Sequence, residues 1–402
     1  MATKQPKTVF LFDIDGVLVE PSGYRAAVQA TLRYFTRRMG LPDEIVPDED
    51  SMSLFESQRI TSEWDMVPIS LAILLEQLLA STHGIELPLS LDECCHYLSK
   101  FRLNMSSVDY RTPILQIGTR LRSGEAPSDR LLNLLQENQA GELFPHLQGH
   151  PILSELLANT RQPSRSQTTR IFQHFSLGSE IFNRTYRLPA EFDTPSLLQA
   201  NDRPLLPQRL HDELTARHQN EGLAIAAYTM RPSLPPRQVN ASLLGYAPEA
   251  EMALELVGME QYPLIGFGRI QYLAEKTGKP AESYMKPSPV QALAAIFAAL
   301  SEDEAASLEL AARLHTWGRV NDLSKRIGAP ALVVHVFEDS PGGIEAVRRA
   351  AQELAQNGVS IRTYTWGVAS QPDKLAALQA IQAQVFSSTQ EAVESALRST
   401  LG

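Results

Sequence analysis

Two aspartates that follow a short apolar segment are the first residues of this chain whose spacing could support chemistry. The segment Thr8–Phe12 is apolar and β-prone, and it leads directly into Asp13-Ile14-Asp15-Gly16. Carboxylates two residues apart can both leave a strand end toward one site if the chain turns, and glycine permits the backbone angles of a tight turn. A solvated acidic turn is the alternative interpretation of this pattern alone.

Further polar residues lie beside later segments of the same strand-like or turn-flanked character. They are Thr229 after Leu223–Tyr228, Lys286 ahead of a predicted helix, and Glu338-Asp339 after Ala331–Phe337. Strands separated by helices predict a parallel sheet, in which the carboxyl ends of the strands form the ligand-binding edge. Taken singly, these residues have ordinary interpretations as a strand end, a surface lysine and helix-capping acids. Their common placement favours one site.

In this order the motifs resemble those of the haloacid dehalogenase superfamily. The strand that ends in Asp13-Ile14-Asp15-Gly16 is similar to the first motif, Thr229 to the second and Lys286 to the third. The segment EDSPGGI, which begins at Glu338, resembles the fourth motif of the phosphoglycolate phosphatase and β-phosphoglucomutase branch. The resemblance covers residues 1–20 and about 220–402, and it implies a hydrolase of phosphoric monoesters.

The resemblance also implies a role for each catalytic residue. Asp13 is expected to attack phosphorus and form an aspartyl-phosphate. Asp15 is expected to protonate the leaving oxygen and later to activate water, which requires a carboxyl group with a raised pKa. Thr229 would donate a hydrogen bond to the transferring phosphoryl group. Lys286 would balance the negative charge and keep Asp13 ionised.

A magnesium site is part of the same expectation. Mg²⁺ prefers hard oxygen ligands, which Asp13, Asp339 and the backbone carbonyl of Asp15 can supply, with Glu338 either as a ligand or as a support for one. The resemblance also argues against a carbon–halogen substrate, because dehalogenases lack an aspartate at the position of Asp15. We therefore predict a magnesium-dependent phosphatase.

The fold class that we expect is α/β, with a Rossmann-like parallel sheet and a large, mostly helical insertion. Residues 1–20 and 220–402 are predicted to form the catalytic core, and residues 21–219 a helical cap domain. Helices are predicted from Tyr24 to Phe35 and at Ile69–Leu79, Leu91–Phe101, Asp129–Glu137, Pro151–Ala158, Pro289–Ile327 and Gln390–Leu397, and further strands at Tyr262–Phe267, Val359–Trp366 and Ala383–Phe386. The stretch Thr160–Thr169 is predicted to be a loop.

Residues of the insertion are expected to determine specificity, since they would meet the part of the substrate that does not react. Tyr24 and Arg25, just after the catalytic loop, and Arg231, just after Thr229, are the predicted substrate contacts. The basic and aromatic stretch from Arg170 to Arg187 could bind an anion, but a helix face packed on an aromatic core is the favoured interpretation. A covering cap favours a small phosphorylated metabolite as substrate.

Composition limits the other classes of partner. A net charge of -10 without a run of basic residues argues against nucleic-acid binding. The two cysteines are adjacent in sequence and poorly placed for a structural disulfide. The N-terminus is polar, and the apolar run Val67–Ala80 is too short to span a membrane, so we expect a cytoplasmic protein without a membrane partner. The sequence does not indicate an oligomeric state.

Two alternatives remain open at this stage. A phosphomutase of the β-phosphoglucomutase type would carry the same motifs, but its cap would have to hold a bisphosphate and exclude water. A non-catalytic protein that binds a phosphorylated ligand could keep the fold, since fold alone does not determine function. Loss of a catalytic group would favour the second alternative, and each catalytic group is present in the sequence.

Overall fold

A computed structural model describes residues 6–122, 125–137, 143–329 and 331–399 of the chain. The chain divides into two compact units, one formed by Met1–Pro21 with Asp202–Gly402 and the other by Ser22–Asn201. We call them the sheet unit and the helical unit. The chain therefore returns to the sheet unit at residue 202, earlier than the boundary that we predicted between residues 219 and 220.

The sheet unit is built on a six-stranded parallel sheet, which confirms the predicted α/β class. The strands of this unit are β1 (Lys7–Phe12), β2 (Val19–Glu20), β3 (Arg203–Pro204), β4 (Ala224–Tyr228), β5 (Leu264–Ile265), β6 (Ala331–Glu338), β7 (Ser360–Val368) and β8 (Gln384–Phe386). The strand order in the sheet is β5-β4-β1-β6-β7-β8, and a separate antiparallel ladder joins β2 to β3.

Strand β1 lies in the middle of this sheet because both of its faces are apolar. Val9 and Leu11 belong to one core cluster, whereas Phe10 and Phe12 belong to the cluster on the opposite face. Successive side chains of a strand point to opposite faces, so an unbroken apolar run is the pattern of a strand buried on both sides. The sequence pattern predicted this strand for that reason.

The helices between residues 22 and 201 belong to the helical unit, and the later helices belong to the sheet unit. Those of the helical unit are α1 (Ser22–Arg38), α2 (Glu49–Ser57), α3 (Glu63–Ser81), α4 (Leu91–Leu98), α5 (Arg111–Gly118), α6 (Pro127–Gln136), α7 (Pro151–Leu157), α8 (Gln167–Tyr186) and α9 (Leu197–Asn201). Those of the sheet unit are α10 (Gln208–Glu221), α11 (Glu249–Leu256), α12 (Phe267–Thr277), α13 (Pro289–Ser301), α14 (Glu304–Trp317), α15 (Leu323–Arg326), α16 (Pro341–Gln356), α17 (Pro372–Ala380) and α18 (Thr389–Ser399).

Helix α10 explains why the unit boundary falls before it. Its Leu210 and Leu214 are buried in the same apolar cluster as Phe10 and Phe12 of β1. The segment therefore belongs to the core of the sheet unit, although its polar, amphipathic sequence resembles that of the helical insertion. The boundary that we predicted between residues 219 and 220 therefore falls within this helix and not at a passage between the units.

Helix α3 is the core helix of the helical unit. It is longer than the apolar run Val67–Ala80, and it is long and apolar enough to cross a membrane by length and composition. Its most apolar window is 72% buried inside the protein, as in a core helix. Asp65 near its start is also buried and binds Arg161 at 2.6 Å.

The region that we predicted as extra helix, Pro289–Ile327, forms α13 to α15. Helix α13 is rich in alanine and almost entirely buried, and it packs against β4, β1 and α14. The sheet is continuous past this region, as expected. The predicted loop Thr160–Thr169 ends earlier than expected, because α8 begins at Gln167. The hydroxyl of Ser166 accepts a hydrogen bond from the backbone N–H of Thr169 as the N-cap of this helix.

Candidate active site

Strand β1 delivers Asp13 to the carboxyl edge of the sheet. The backbone N–H of Asp13 donates to the carbonyl of Phe337 at 3.0 Å, which continues the pairing of β1 with β6. The backbone N–H of Ile14 donates to Asp13 Oδ1 at 2.8 Å and fixes the side chain. The carboxylate is therefore held at a defined place, as a nucleophile requires.

Two further carboxylates meet Asp13 at this edge. The register Phe12↔Phe337 places Asp13 beside Glu338, and Asp339 follows directly. Each of the three acids offers a carboxylate oxygen that lies within 4.8 Å of the others. Carboxylates this close repel one another strongly unless a cation or a proton neutralises them. The cluster is thus a place for positive charge, and its hard oxygen donors fit a divalent metal ion.

Lys286 supplies one positive charge from the loop before α13. Its Nζ lies 2.6 Å from Glu338 Oε1 and 3.3 Å from Asp13 Oδ1, and it also donates to the carbonyl of Tyr228 at 3.2 Å. The ammonium group stands 3.9 Å from the centre of the Tyr228 ring. Burial acts to lower the pKa of Lys286, but the charges of Asp13 and Glu338 outweigh it and raise the pKa.

Glu338 is fully buried, and both of its carboxylate oxygens have partners. Oε1 accepts from Lys286, and Oε2 accepts from the hydroxyl of Ser340 at 3.0 Å. Burial and the nearby charge of Asp13 raise the pKa of Glu338, whereas Lys286 opposes that rise. A Cβ at Gly343 would lie only 1.7 Å from Glu338 Oε1, so the carboxylate occupies space that only glycine leaves open. Asp13 and Asp339 are the less encumbered oxygen donors.

Asp339 has a partner that the sequence did not suggest. Lys374, at the start of α17, donates to Asp339 Oδ2 at 2.5 Å. Burial raises the pKa of Asp339, and Lys374 opposes that rise. Gly16 has a φ of +74° and lies so close that a Cβ there would be 2.6 Å from Asp339 Oδ2. The absence of a side chain at Gly16 therefore permits the predicted turn and also leaves the space that the Asp339 carboxylate occupies.

Asp15 faces a buried arginine. Arg231 Nε donates to Asp15 Oδ1 at 2.7 Å, and Arg231 Nη2 donates to Asp202 Oδ2 at 2.9 Å. Burial and the charge of Asp13 raise the pKa of Asp15 to about 6, although Arg231 opposes this. The side chain of Arg231 is only 1% exposed. Two of its donor groups serve acids of the protein itself, and its role as a substrate contact stays a prediction.

Thr229 ends β4 at the same edge and is almost fully buried. Its backbone N–H donates to the carbonyl of Ile265, and its Oγ accepts from the backbone N–H of Arg231 at 3.2 Å. Gln291, another residue that the sequence did not suggest, donates from Nε2 to the carbonyls of Thr229 at 2.8 Å and Ile265 at 2.9 Å. These bonds hold the end of β4, and the role of the Thr229 hydroxyl as a donor to the phosphoryl group stays a prediction.

One of the two predicted contacts in the helical unit forms ion pairs within that unit. Arg25 on α1 forms ion pairs with Glu49 and Glu56, each at 2.8 Å. Tyr24 is nearly buried. Their role as substrate contacts stays a prediction. In the aromatic stretch of α8, His174 stacks on Phe182 and on Phe192 with ring centres 4.9 and 4.3 Å away, which agrees with the packed-helix interpretation.

Comparisons with known proteins establish the fold. No protein-family model matches the chain, and no curated protein matches it. An X-ray structure of a Northeast Structural Genomics Consortium target is similar with a TM-score of 0.60 and 16% identity, over 99% of this chain and 98% of that one. Phosphatase Tt82 from Thermococcus thioreducens aligns with a TM-score of 0.42 and 15% identity, over 97% of this chain and 99% of that one. The second likeness is too distant to transfer a name.

Fold and site together define a class. The chain is an α/β protein with a Rossmann-like parallel sheet, a helical unit inserted between β2 and β3, and a largely buried acidic cluster that could hold a metal ion at the carboxyl edge of the sheet.

Proposed function

We propose that this protein is a magnesium-dependent phosphatase that hydrolyses a small phosphorylated metabolite through an aspartyl-phosphate on Asp13. The observation that carries the proposal is the meeting of Asp13, Glu338 and Asp339 with the ammonium group of Lys286 at the edge of a parallel sheet. The motif resemblance to the haloacid dehalogenase superfamily, in its phosphoglycolate phosphatase and β-phosphoglucomutase branch, supports it. A solvated acidic turn would not bury two carboxylates against a lysine and place a third beside them.

The residues present fit Mg²⁺. Asp13 and Asp339 offer oxygens that lie close together, and Gly16 leaves the space beside Asp339 open. With the backbone carbonyl of Asp15 they would provide hard oxygen ligands and leave positions for water, as Mg²⁺ prefers. Glu338 would support the site through Lys286 and Ser340. When bound, the ion would neutralise part of the charge on the phosphoryl oxygens and on the carboxylates.

In the first step a carboxylate oxygen of Asp13 attacks phosphorus, and the bond from phosphorus to the ester oxygen breaks. The leaving oxygen takes the proton of the Asp15 carboxyl group, so the alcohol departs neutral. The pKa of Asp15 near 6, raised by burial and by Asp13, lets this group carry a proton close to neutral pH. Lys286 would offset negative charge on the phosphoryl oxygens, and Thr229 would donate a hydrogen bond to one of these oxygens.

In the second step Asp15 acts as a base. Its carboxylate accepts a proton from water as the water oxygen attacks phosphorus, and the bond between phosphorus and Asp13 breaks. The products are inorganic phosphate and the free Asp13 carboxylate, so ester and water have become alcohol and phosphate. Asp15 is again protonated and ready for the next ester.

The other expectations belong to the same proposal. The helical unit would act as the cap and supply specificity through Tyr24 and Arg25. The substrate would be a small metabolite and not a nucleic acid. The enzyme would work in the cytoplasm and would not bind a membrane. The net charge of -10 supports the exclusion of nucleic acid.

The test is phosphate release from a panel of small phosphomonoesters, with Mg²⁺ and with excess chelator. The native chain is compared with Asp13→Asn, which keeps an acceptor for the backbone N–H of Ile14 and so preserves the local fold. Asp322→Asn serves as the control because that side chain is exposed. We expect turnover that requires Mg²⁺, is abolished in Asp13→Asn and is unchanged in Asp322→Asn.

Other results would identify the alternatives. Isomerisation of a sugar phosphate without phosphate release would indicate the mutase, whereas binding of phosphorylated compounds without turnover would indicate the non-catalytic protein. Phosphate release that is equal in Asp13→Asn and in the native chain would refute the aspartyl-phosphate mechanism.

A further inference from the structure

A buried cation bridges two acids from distant parts of the sequence. Arg231 binds Asp15, 216 residues away, and Asp202, 29 residues away. The side chains of Arg231 and Asp202 are 1% and 3% exposed, whereas that of Asp15 is 34% exposed. The two buried members thus form a fixed support, and Arg231 holds an oxygen of the partly buried Asp15.

Asp202 fixes the orientation of the guanidinium group. This group is planar and rigid, so an acceptor on one of its nitrogens also sets the direction of the others. With Nη2 bound to Asp202, Nε points at Asp15 Oδ1. Without Asp202, Arg231 would stay charged and buried but would lose one of its acidic partners. Its guanidinium group would then turn toward the acceptors that remain, because a buried cation needs hydrogen-bond partners.

The antiparallel ladder of β2 and β3 links the backbone segments that carry Asp15 and Asp202. Asp202 directly precedes β3, which pairs with β2, and the backbone N–H of Leu205 donates to the carbonyl of Leu18 at 2.8 Å. On the other side, Asp15 forms a bridge with Val19 at the start of β2. The β2–β3 ladder therefore sets the distance between the two acids, and Arg231 occupies the space between them.

We propose that Asp202 is a positioning residue, which acts through Arg231 to hold the carboxyl group of Asp15 in place for proton transfer to the leaving oxygen. Arg231 thereby serves the reaction through Asp15 and not by binding substrate. This inference rests on the proposed function, in which Asp15 is the general acid. Neither Asp202 nor Arg231 is required to touch the substrate.

The leaving group provides a readout that separates this role from a purely structural one. A phosphate ester of a basic alcohol needs a proton at the leaving oxygen, whereas an ester of an acidic phenol needs it far less. A displaced Asp15 should therefore slow phenyl phosphate much more than p-nitrophenyl phosphate. The quantity to compare is kcat/KM, because it reports the steps up to loss of the first product.

The experiment compares the native chain with Asp202→Ala and Asp202→Asn on both esters, with Mg²⁺ present. For Asp202→Ala we expect kcat/KM to fall about tenfold for phenyl phosphate and less than about twofold for p-nitrophenyl phosphate. Asp202→Asn keeps an acceptor oxygen for Arg231 and should recover part of the loss. It also provides a folded variant if Asp202→Ala does not fold.

Glu251→Ala is the matched control. Arg269 is likewise 1% exposed and binds two acids, Glu251 and Glu304, so this variant also removes one acid from a buried arginine of the same unit. Any loss that it causes should be equal for the two esters.

The outcomes separate the inference from the function on which it rests. If the native chain turns over neither these esters nor the metabolite panel, the proposed function fails. If the native chain is active but the Asp202 variants lose nothing, or lose equally on both esters, only the inference fails. Equal losses would return Arg231 to a substrate-binding or purely structural role.

Discussion

The ammonium group of Lys286 lies 2.6 Å from the carboxylate of Glu338, and both side chains are buried. Such a pair loses its hydration on folding, so each member depends on the other and on the remaining polar contacts. Here the contacts are the hydroxyl of Ser340 on one side and the carbonyl of Tyr228 on the other. The pair is therefore a support of the acidic cluster, and it makes the cluster sensitive to the loss of either charge.

Replacing Lys286 should destabilise the sheet unit. Lys286→Met leaves Glu338 and Asp13 buried without their cation, and removal of one member of a buried ion pair costs about 3–5 kcal/mol. The measurement is the free energy of unfolding in urea at neutral pH, with chelator present so that no metal ion compensates.

The double variant Lys286→Met with Glu338→Gln is the control for this prediction. It removes both charges of the pair, so we expect it to recover about half or more of the lost stability. It should remain inactive, since the cation near Asp13 is still absent. A single Lys286→Met variant as stable as the native chain would show that the pair contributes nothing to the fold.

Gly343 and Gly342 in the first turn of α16 give a matched pair of substitutions. A Cβ at Gly343 would lie 1.7 Å from Glu338 Oε1, whereas a Cβ at Gly342 would meet nothing within 4 Å. We expect Gly343→Ala to displace Glu338 from Lys286, lowering both stability and activity. Gly342→Ala should keep activity and stabilise the helix by up to about 1 kcal/mol. Urea unfolding and phosphatase assays measure the stability and the activity of both variants. Equal stabilities and activities would contradict the predicted clash between a Cβ at Gly343 and Glu338.

Alanine substitutions at Gly16 and Gly222 separate the effect of backbone strain from the effect of crowding at the acidic cluster. Both have a positive φ, +74° and +72°, but only at Gly16 would a Cβ collide with Asp339. Alanine in this backbone region costs about 1–2 kcal/mol at either position. We expect Gly16→Ala also to weaken Mg²⁺ binding at least about tenfold, an energy near 1.4 kcal/mol, as measured by calorimetric titration. Gly222→Ala should bind Mg²⁺ like the native chain, and equal affinities for all three proteins would count against Asp339 as a ligand.

The sheet and its acids could be predicted because their signals are local. Apolar runs such as Thr8–Phe12 indicate strands buried on both faces, and a strand end is visible where the acids begin. In the structure β1 pairs with β6 in parallel, and this pairing brings Asp13 to Glu338 although they are far apart in sequence. The sequence pattern alone was sufficient for this part of the site.

The partners of those acids could not be predicted, since no local signal marks them. Lys374 binds Asp339 from a helix that begins after β7, and Asp202 binds Arg231 from the return of the chain out of the helical unit. A lysine near a helix start and an aspartate in a polar loop are ordinary surface residues in sequence. The same reason explains the late boundary prediction, because the amphipathic pattern of α10 shows an apolar face but not which core receives it.

His335 is a buried histidine on β6 that has no part in the proposed reaction. It stacks on Tyr364 and Trp366, and the indole N–H of Trp366 donates to its Nδ1 at 3.0 Å. An imidazole that accepts a hydrogen bond at Nδ1 is neutral, with its proton on Nε2. Burial lowers the pKa of His335 to about 4, because the charged form would lose its hydration in the core.

The stability of the protein should therefore decrease in acid through His335. The unfolded chain binds a proton near pH 6.5 and the folded chain only near pH 4, so protons favour unfolding as the pH falls between these values. We expect the native chain to lose up to about 3 kcal/mol relative to His335→Gln between pH 7 and pH 4. Gln keeps an acceptor for Trp366 but does not titrate. Urea unfolding across this range, with the exposed His83→Gln as the control, measures the difference, and a gap that stays constant with pH would exclude His335 as the acid-sensitive group.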